Sequence, residues 1–460
     1  MRNLKLLLIA PIVLLAGCIT VGPDYQAPEN KAVALQVAAD IETAAYDRLW
    51  WQRFDDEVLN ELVVLTLENN YSLEAAKANI DRALANFADI ENDDSLVGSL
   101  DADYQNSNAQ QPGFTNERVY NRRYQVGANL NWQLDLVGKL ERSSESAYAS
   151  AESIQADLHA LQVSIVSNLI GLYADYRGLQ KRVQVAHRNV DILKQTADIT
   201  RLRFEEGIES EFEFARVRAQ LSSVQASIAQ LDSQLKLAEY DLALLAGYDA
   251  SSLPVEMLEG PIPSLNKPVA IGDVSELLLR RPDVRSAERR LAAATAQIGV
   301  AKADLYPSVN VTGFLGFLTG HASGLDNSAR AWTVAPSISW QALDMGSVKA
   351  RINIANAEQR KALADYQQQL LVAVNDAQSA LTAYSFSQLQ LHHLADQQQA
   401  SEKAMELATL QYEEGLFDLL DLIDTERTLL VSQDSYAAGQ AQVMKDLVAI
   451  YRAFGGAIGE

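Results

Sequence analysis

The chain contains one cysteine, Cys18, which excludes a disulfide framework. Acidic residues outnumber lysine and arginine by 60 to 38, and this net charge of −22 argues against nucleic acid as a partner. Beyond residue 17, no apolar run is long enough to form a membrane-spanning helix. If the protein enters a membrane, it must do so as a closed β-barrel, because open strands would leave unpaired backbone groups in lipid.

Motifs of enzyme chemistry are also missing. The sequence has no phosphate-binding glycine loop and no nucleophile elbow. The five histidines form no recognisable metal-ligand motif, so surface or packing roles are their default interpretation. We therefore expect neither an enzyme nor a metal site, and no cofactor apart from a covalent lipid.

Proline is absent from residues 147–252 and from 337 to the C-terminus, which allows long helices. In the first of these stretches the apolar positions alternate in steps of four and three, with one extra step of four at Leu169. This is a heptad seam with a stutter, and it predicts coiled-coil packing. A helical run of about 65 residues would span roughly 100 Å, so its seam must pack against helices of the same chain or of other subunits. A filamentous coiled coil is the plain alternative.

The sequence repeats itself. Residues 132–247 return as residues 340–455, with Trp132 aligned on Trp340 and Gly207 on Gly415. Each copy has a long helical run, an aromatic-Glu-Glu-Gly turn and a second helical run, which a tandem duplication explains most simply. We divide the chain into a signal peptide (1–17), an extended leader (18–55), a first repeat (56–247), a Pro-rich linker (248–272) and a second repeat (273–460).

The N-terminus indicates secretion. A charged start, a short apolar run and small residues precede Cys18, as in a bacterial lipoprotein signal, in which the cysteine is acylated and becomes the first mature residue. Several acyl chains would anchor the protein firmly. An ordinary signal peptide followed by a chance cysteine is the alternative. Ile19 rather than Asp after the cysteine favours outer-membrane retention, by resemblance to other lipoproteins.

After a first helix predicted from Asp56 to Asn92, with Asp55 as its cap, four segments alternate in polarity: Leu96–Asn106, Val119–Trp132, Ser308–Phe317 and Trp332–Trp340. Aromatic residues lie near their ends, as in short membrane hairpins, although a soluble hairpin that caps a helical rod fits equally well. Four strands cannot close a barrel, so a membrane protein of this kind must pool strands from several subunits. The number of subunits does not follow from these residues.

Specific motifs resemble the TolC-like family of outer-membrane efflux channels, in its lipoprotein branch. They include the Arg-Arg-Pro-Asp-Val-Arg-x-Ala-Glu stretch from Arg280, the Val-Gly-Pro-Asp-Tyr leader from Val21, the Trp-Trp-x-x-Phe-x-Asp box from Trp50 and both tip glycines. The resemblance runs from Cys18 to the C-terminus. It implies a mainly α fold in which a trimeric α-barrel of long coiled-coil helices joins a 12-stranded transmembrane β-barrel, with four strands from each subunit and two tandem structural repeats.

The resemblance also implies a function. Such a homotrimer is the exit duct of a tripartite multidrug efflux system of the RND type. It receives small molecules from an inner-membrane transporter through a periplasmic adaptor protein. The channel is passive and is anchored in outer-membrane lipid. We hypothesise that it opens by an iris-like movement of its periplasmic helix tips.

The resemblance locates the gate at those tips. It implies that Tyr412, Asp421 and Asp424 close the periplasmic entrance. We hypothesise that the adaptor engages grooves around Gly207 and Gly415. Asp421 and Asp424 lie three residues apart, hence on one helix face, and a trimer would bring six such carboxylates together. Repulsion within that ring would favour bound cations.

The first repeat departs from the second here. Glu213 and Arg216 occupy the positions of the two aspartates, and Arg216 could pair with an acid of the neighbouring tip. Phe417 replaces an arginine that forms a latch in some family members. A solvated acidic face near a helix N-terminus is the alternative to a gate. Protein export through the same fold, and a structural or adhesive lipoprotein stalk, are the alternatives to an efflux channel.

Overall fold

The computed structural model describes residues 20–28, 41–42, 49–111, 115–264, 269–270, 280–321 and 326–456. Short 3-10 helices cover Trp50–Phe54 and Asn327–Ala329. The strands are β1 (Ile41–Glu42), β2 (Val97–Gln111), β3 (Thr115–Leu134), β4 (Val269–Ala270), β5 (Ser308–Thr319) and β6 (Arg330–Ser339). The helices are α1 (Glu57–Asn69), α2 (Tyr71–Asn92), α3 (Lys139–Glu205), α4 (Glu211–Leu245), α5 (Pro282–Ala303), α6 (Met345–Glu413) and α7 (Leu419–Ala453). The predicted class, mainly helical with four long strands, is confirmed.

The chain forms two compact units, and the first contains residues 1–30, 78–155 and 286–368. Its centre is an antiparallel sheet in the order β2-β3-β5-β6. Strands β2 and β3 extend beyond the alternating segments that predicted them, to Gln111 and from Thr115. The added residues are mostly polar, so they carry no alternating pattern, and backbone pairing alone defines them as strand.

The leader is docked in this unit. The Val21 amide donates to Val137 O at 3.0 Å, and the Arg142 guanidinium lies 2.5 Å from Asp24. Gly22 has a φ of +107°, and a Cβ placed there would lie 2.5 Å from the Gly299 Cα, so only glycine fits. The leader therefore lies directly on the helix backbone of α5. Cys18 and the predicted signal peptide lie outside the described residues.

The second unit contains residues 31–77, 156–285 and 369–460. Within it the seam predicted on α3 packs against α4: Ala186, Val190 and Leu193 share one buried cluster with Val224, Ile228 and Leu231. The other apolar residues of the seam, from Ile154 to Ala197, are buried or half-buried. Among the described residues, no helix combines the length and apolarity needed to cross a bilayer.

The prediction of one continuous first helix is wrong. It breaks at Asn70, whose backbone is extended and whose side chain accepts hydrogen bonds from the Ser72 and Leu73 amides. The Asn70 side-chain amide Nδ2 also donates to Leu245 O, at the end of α4, at 2.8 Å. The apolar spacing continues through this break, so it gives no warning of it.

The cap prediction is also wrong by one residue. Asp55 ends the preceding 3-10 helix in a left-handed conformation, and the neighbouring Asp56 caps α1 by accepting from the Leu59 amide at 3.0 Å. Asp56 also accepts from the Tyr173 hydroxyl at 2.7 Å, so it ties α1 to α3.

The Arg-Arg-Pro-Asp motif has a structural role. Pro282 begins α5 as predicted, because the first helical position needs no amide hydrogen. The buried Arg281 guanidinium lies 2.7 Å from Asp283 and 3.1 Å from Asp376 of α6, and it donates to Ala453 O of α7 at 3.0 Å. One arginine thus joins the start of α5 to two other helices.

Candidate functional site

The candidate site consists of two turns, which we call tip 1 (Phe204–Arg216) and tip 2 (Tyr412–Asp424). Both turns lie in the second unit. Tip 1 joins α3 to α4, and tip 2 joins α6 to α7. The buried cluster that holds tip 2 includes Val217, which immediately follows tip 1.

Glycine makes both turns possible. Gly207 and Gly415 have φ of +71° and +72°, in the left-handed region that favours glycine. In each turn the glycine amide donates to the carbonyl three residues back at 3.0 Å, and the next amide donates five residues back at 2.8 Å. This is a Schellman ending, which satisfies helix carbonyls that otherwise lack partners. A Cβ at either glycine would meet nothing within 4 Å, so both turns present open backbone.

Different residues cap the helices that leave the two turns. Ser210 caps α4 in a reciprocal capping box: its side chain accepts from the Glu213 amide, and the Glu213 carboxylate accepts from the Ser210 amide at 2.7 Å. The hydrogen bonds that the Ser210 amide and hydroxyl donate to the Glu213 carboxylate lower the pKa of Glu213. Asp418 caps α7 and accepts from the Leu420 amide at 3.5 Å. Glu213 is thus engaged in a local structural role within its own turn.

Tyr412 is buried in the tip core and is only 6% exposed. It packs with Val217 of α4 and with Leu419, Leu422 and Ile423 of α7. Its hydroxyl oxygen has no hydrogen-bond partner among the described residues. Burial raises the pKa of Tyr412, and the nearby Arg203 charge opposes this rise.

Arg203 and Glu209 connect the two tips. The Arg203 guanidinium lies 5.0 Å from the Tyr412 ring centroid, within range of a cation–π contact, and its Nη1 lies 3.4 Å from Glu209 Oε1. Burial and the adjacent Glu213 carboxylate raise the pKa of Glu209. A line of contacts therefore runs from Tyr412 of tip 2 through Arg203 to Glu209 and Glu213 of tip 1. The sequence analysis missed Arg203 and Glu209, because only the packing of the two turns reveals their partners.

Asp421 and Asp424 lie at the start of α7, and both are exposed. Their backbone carbonyls accept from Thr425 and Thr428, and no ion pair engages their carboxylates within the described residues. Both carboxylates are thus available to other copies of the chain or to cations. The carboxylate ring stays a prediction, since it needs those copies.

Arg216 and Phe417 differ in their packing. The Arg216 guanidinium lies 5.7 Å from the Phe212 ring centroid, and in the described part of the chain it joins no acidic side chain. Its pairing with a neighbouring subunit stays a prediction. Phe417 is half-buried against the core that holds Tyr412, so it contributes apolar packing to tip 2.

Glu426 is a further residue that the sequence analysis missed. It lies on α7 beyond Asp424, is 3% exposed, and neither of its carboxylate oxygens has a hydrogen-bond partner among the described residues. Burial raises its pKa to about 7. The described residues contain no group of three or more His, Cys, Asp or Glu side chains arranged to hold a metal ion.

Comparison with known proteins identifies the family. The sequence profile of the outer membrane efflux proteins matches residues 62–248 and 274–456, so the chain belongs to that family. The solved structure of the outer-membrane channel OprN is 40% identical, with a TM-score of 0.91 over 95% of this chain and 99% of that one.

Two curated relatives extend this result. The chain is 27% identical to the outer membrane protein OprJ of Pseudomonas aeruginosa, over 97% of this chain and 94% of the relative. It is 26% identical to SilC of Salmonella typhimurium, a probable outer membrane lipoprotein, over 95% of each. The chain is therefore an efflux channel protein of the outer membrane that extends into the periplasm, and not an enzyme. The expected resemblance is confirmed.

Proposed function

We propose that three copies of this chain form the passive exit duct of a tripartite efflux pump. The observation that carries the proposal is the open sheet, in which β2 and β6 are edge strands with unpaired backbone groups. In lipid each unpaired group costs several kcal/mol, so edges must pair with edges of other copies. Three copies would supply twelve strands and one closed wall.

The two faces of the sheet fit that role. Paired residues on one face are apolar, for example Val126 with Phe317 and Leu315 with Trp332. The other face carries polar groups, including Asp101, which accepts from Asn129 and Ser99. An apolar face would contact lipid and a polar face would line a water-filled passage.

The gate lies at the tips in this proposal. Asp421 and Asp424 of three copies form the acidic ring at the periplasmic entrance, and the contact of Tyr412 with Arg203 holds the end of each α6 against the end of α3 in the same copy. Opening is an iris-like movement of the α6–α7 pair, in which these contacts are lost. Glu213 and Arg216 face the neighbouring copy in the same layer.

The partners follow from the pump architecture. A periplasmic adaptor engages the open backbone of Gly207 and Gly415, where no neighbouring atom lies within 4 Å of a would-be Cβ. An inner-membrane transporter supplies substrate and energy. A lipid on Cys18 anchors the leader, and the docking of Val21 against Val137, at the start of α3, supports an anchor that is held close to the end of β3.

The proposal is tested by the conductance of the purified protein in planar bilayers. The double variant Asp421→Ala/Asp424→Ala is expected to raise conductance or to remove block by divalent cations, because it removes the acidic ring. Asp446→Ala, which removes a carboxylate far from the tip on the same helix, is the matched control and should leave both unchanged. A double variant that behaves like the wild type would show that these residues are not the gate, and a wild type without conductance would refute the channel.

A further inference from the structure

We propose that the distal, outward-facing end of the β2–β3 hairpin binds the phosphate groups of outer-leaflet glycolipid. The distal end is the one where β2 ends at Gln111 and β3 begins at Thr115, opposite to the end that leads into α3. The inference rests on the proposed closed wall of strands, which directs one face of the sheet to lipid.

The pairing register defines that outward face. Side chains of directly paired residues lie on the same side of a sheet, and successive residues alternate between sides. The pairs Leu100↔Ala128, Ala102↔Val126 and Tyr104↔Tyr124 continue into β5 and β6 through Val126↔Phe317 and Leu315↔Trp332. The outward face is therefore the face of the even-numbered residues of β2, β3 and β6 and the odd-numbered residues of β5.

Charge is segregated between the two faces. Of the three acidic residues of the four strands, Asp101 and Asp103 lie on the inner face, and Glu117 lies at the register shift near the end of the hairpin. Three of the four arginines lie on the outward face: Arg118, Arg122 and Arg330. In a chain with net charge −22, the paired residues of the outward face therefore include cations and no acids. Such a distribution is complementary to an anionic surface.

The apolar residues of the outward face form a band, and Arg118 and Arg122 of β3 lie beyond it toward the distal end of the hairpin. The band ends at the paired rings of Tyr104 and Tyr124, whose centroids are 4.7 Å apart. Aromatic pairs of this kind mark the membrane–water interface of barrels. Arg122 is two residues further along β3, and Arg118 lies about 13 Å beyond Arg122 at about 3.3 Å per residue. Arg122 therefore lies where lipid headgroups begin, and Arg118 lies further out, at the depth of the headgroup sugars and phosphates of a glycolipid.

Arg122 has a defined setting. Its guanidinium lies 5.6 Å from the Tyr120 ring centroid, and the Tyr120 hydroxyl accepts a hydrogen bond from Asn106 at 3.2 Å. Asn106 is paired directly with Arg122 in the ladder. Within the described residues no acidic side chain forms an ion pair with Arg118 or Arg122, so their N–H groups remain available. A guanidinium offers a planar fork that matches two phosphate oxygens.

The occupant is a lipid rather than a soluble anion because the cations continue an exposed apolar surface. Leu315, Trp332, Val334 and Ile338 of the same face are 64–76% exposed in the single chain. Acyl chains would cover these residues while the phosphates of the same molecule reach the arginines. Helices α3 and α6 follow the opposite end of the strands and belong to the periplasmic side, which places the arginines at the outer leaflet.

The test compares matched arginine variants of the full-length protein in detergent. Binding of lipopolysaccharide is titrated by native mass spectrometry for the wild type, for Arg118→Gln/Arg122→Gln, and for Arg123→Gln, which removes the neighbouring arginine of the inner face. Each lost arginine is expected to weaken binding about fivefold, and both together about thirtyfold. Arg123→Gln should bind as the wild type does, and Arg118→Lys/Arg122→Lys should recover much of the affinity because it restores the charge.

Three outcomes would overturn the proposal: equal binding by wild type and the Gln pair, an equal loss in Arg123→Gln, or unchanged binding of dephosphorylated lipopolysaccharide. Inorganic phosphate is titrated in parallel, and competition by it at the lipid's own affinity would reassign the site to a soluble anion. Conductance is recorded for the same preparations. Conducting channels with no arginine-dependent lipid binding refute this inference alone, whereas absent conductance refutes the channel itself.

Discussion

Replacement of Glu426 by glutamine should change how the stability of the protein depends on pH. Glu426 lies on α7 among the buried residues Leu422, Ile423 and Leu429, and neither carboxylate oxygen has a partner. Both oxygens are already covered by their own chain, so a neighbouring subunit cannot reach them without movement of α7. Burial is the sole cause of the raised pKa.

The magnitude follows from proton linkage. The folded state holds the Glu426 proton up to a pKa of about 7, whereas the ordinary value is 4.5. Between these two pH values the unfolded chain loses the proton first, so stability falls as pH rises, and it levels off above pH ~7. The total loss is about 3 kcal/mol per chain. Glutamine does not titrate, so Glu426→Gln should match the wild type near pH 4.5 and exceed its stability by up to about 3 kcal/mol at pH 8.

The assay is thermal unfolding in detergent, followed by tryptophan fluorescence between pH 4.5 and pH 8. The wild type should lose thermal stability across this range more steeply than Glu426→Gln. The control is Glu358→Gln, which removes an exposed carboxylate from α6. Equal pH slopes in the wild type and Glu426→Gln would show that the buried carboxyl does not titrate as argued. Because α7 also carries the predicted acidic ring, a steeper loss in the wild type locates a proton-sensitive point beside the gate.

Two further substitutions test the tip contacts and the docked leader. Arg203→Gln removes a cation–π contact of about 0.5–2 kcal/mol and the ion pair with tip 1, so it should increase the open fraction in conductance records. Arg201→Gln, on the exposed side of the same helix, should not change the open fraction, and equal effects of the two variants would show that the Arg203 contacts do not hold the tips together. Gly22→Ala should destabilise the protein by more than the about 1–2 kcal/mol of a left-handed conformation, since its Cβ would also meet the α5 backbone. The loss of stability is measured by thermal unfolding. The control is Gly346→Ala, whose added Cβ would meet no neighbour within 4 Å. Equal stability of the two variants would show that the leader is not tightly docked on α5.

Periodicity made the helices and strands predictable. The heptad seam of α3 and the alternating pattern around Trp132 each report one buried or lipid-facing side of a regular element. The tip turns were predictable because Gly207 and Gly415 follow the same aromatic-Glu-Glu sequence in both repeats. These features depend only on residues that are close together in the chain, so the sequence pattern is enough to predict them.

Features that depend on contacts between distant segments were not predictable. Asn70 breaks a helix because it bonds to a carbonyl at the end of α4, and nothing in the adjacent residues signals that bond. Arg203 contacts a ring more than 200 residues away, and Glu426 occupies a position that the apolar spacing would assign to a hydrophobic residue. The number of subunits depends on how the β2 and β6 edges of several copies pair, which the sequence of one chain does not specify.

The mass of the mature protein, extracted from outer-membrane fractions in mild detergent, tests the central claim most directly. The free β2 and β6 edges require other copies of the chain, and the proposed twelve-stranded wall requires a particle of three chains, whose mass is three times that of the mature chain. A monomer would leave both sheet edges unpaired, and a dimer would supply only eight strands, whose barrel interior is filled by side chains. Either result would contradict the pooled twelve-stranded wall on which the channel, its gate and its lipid-facing surface depend.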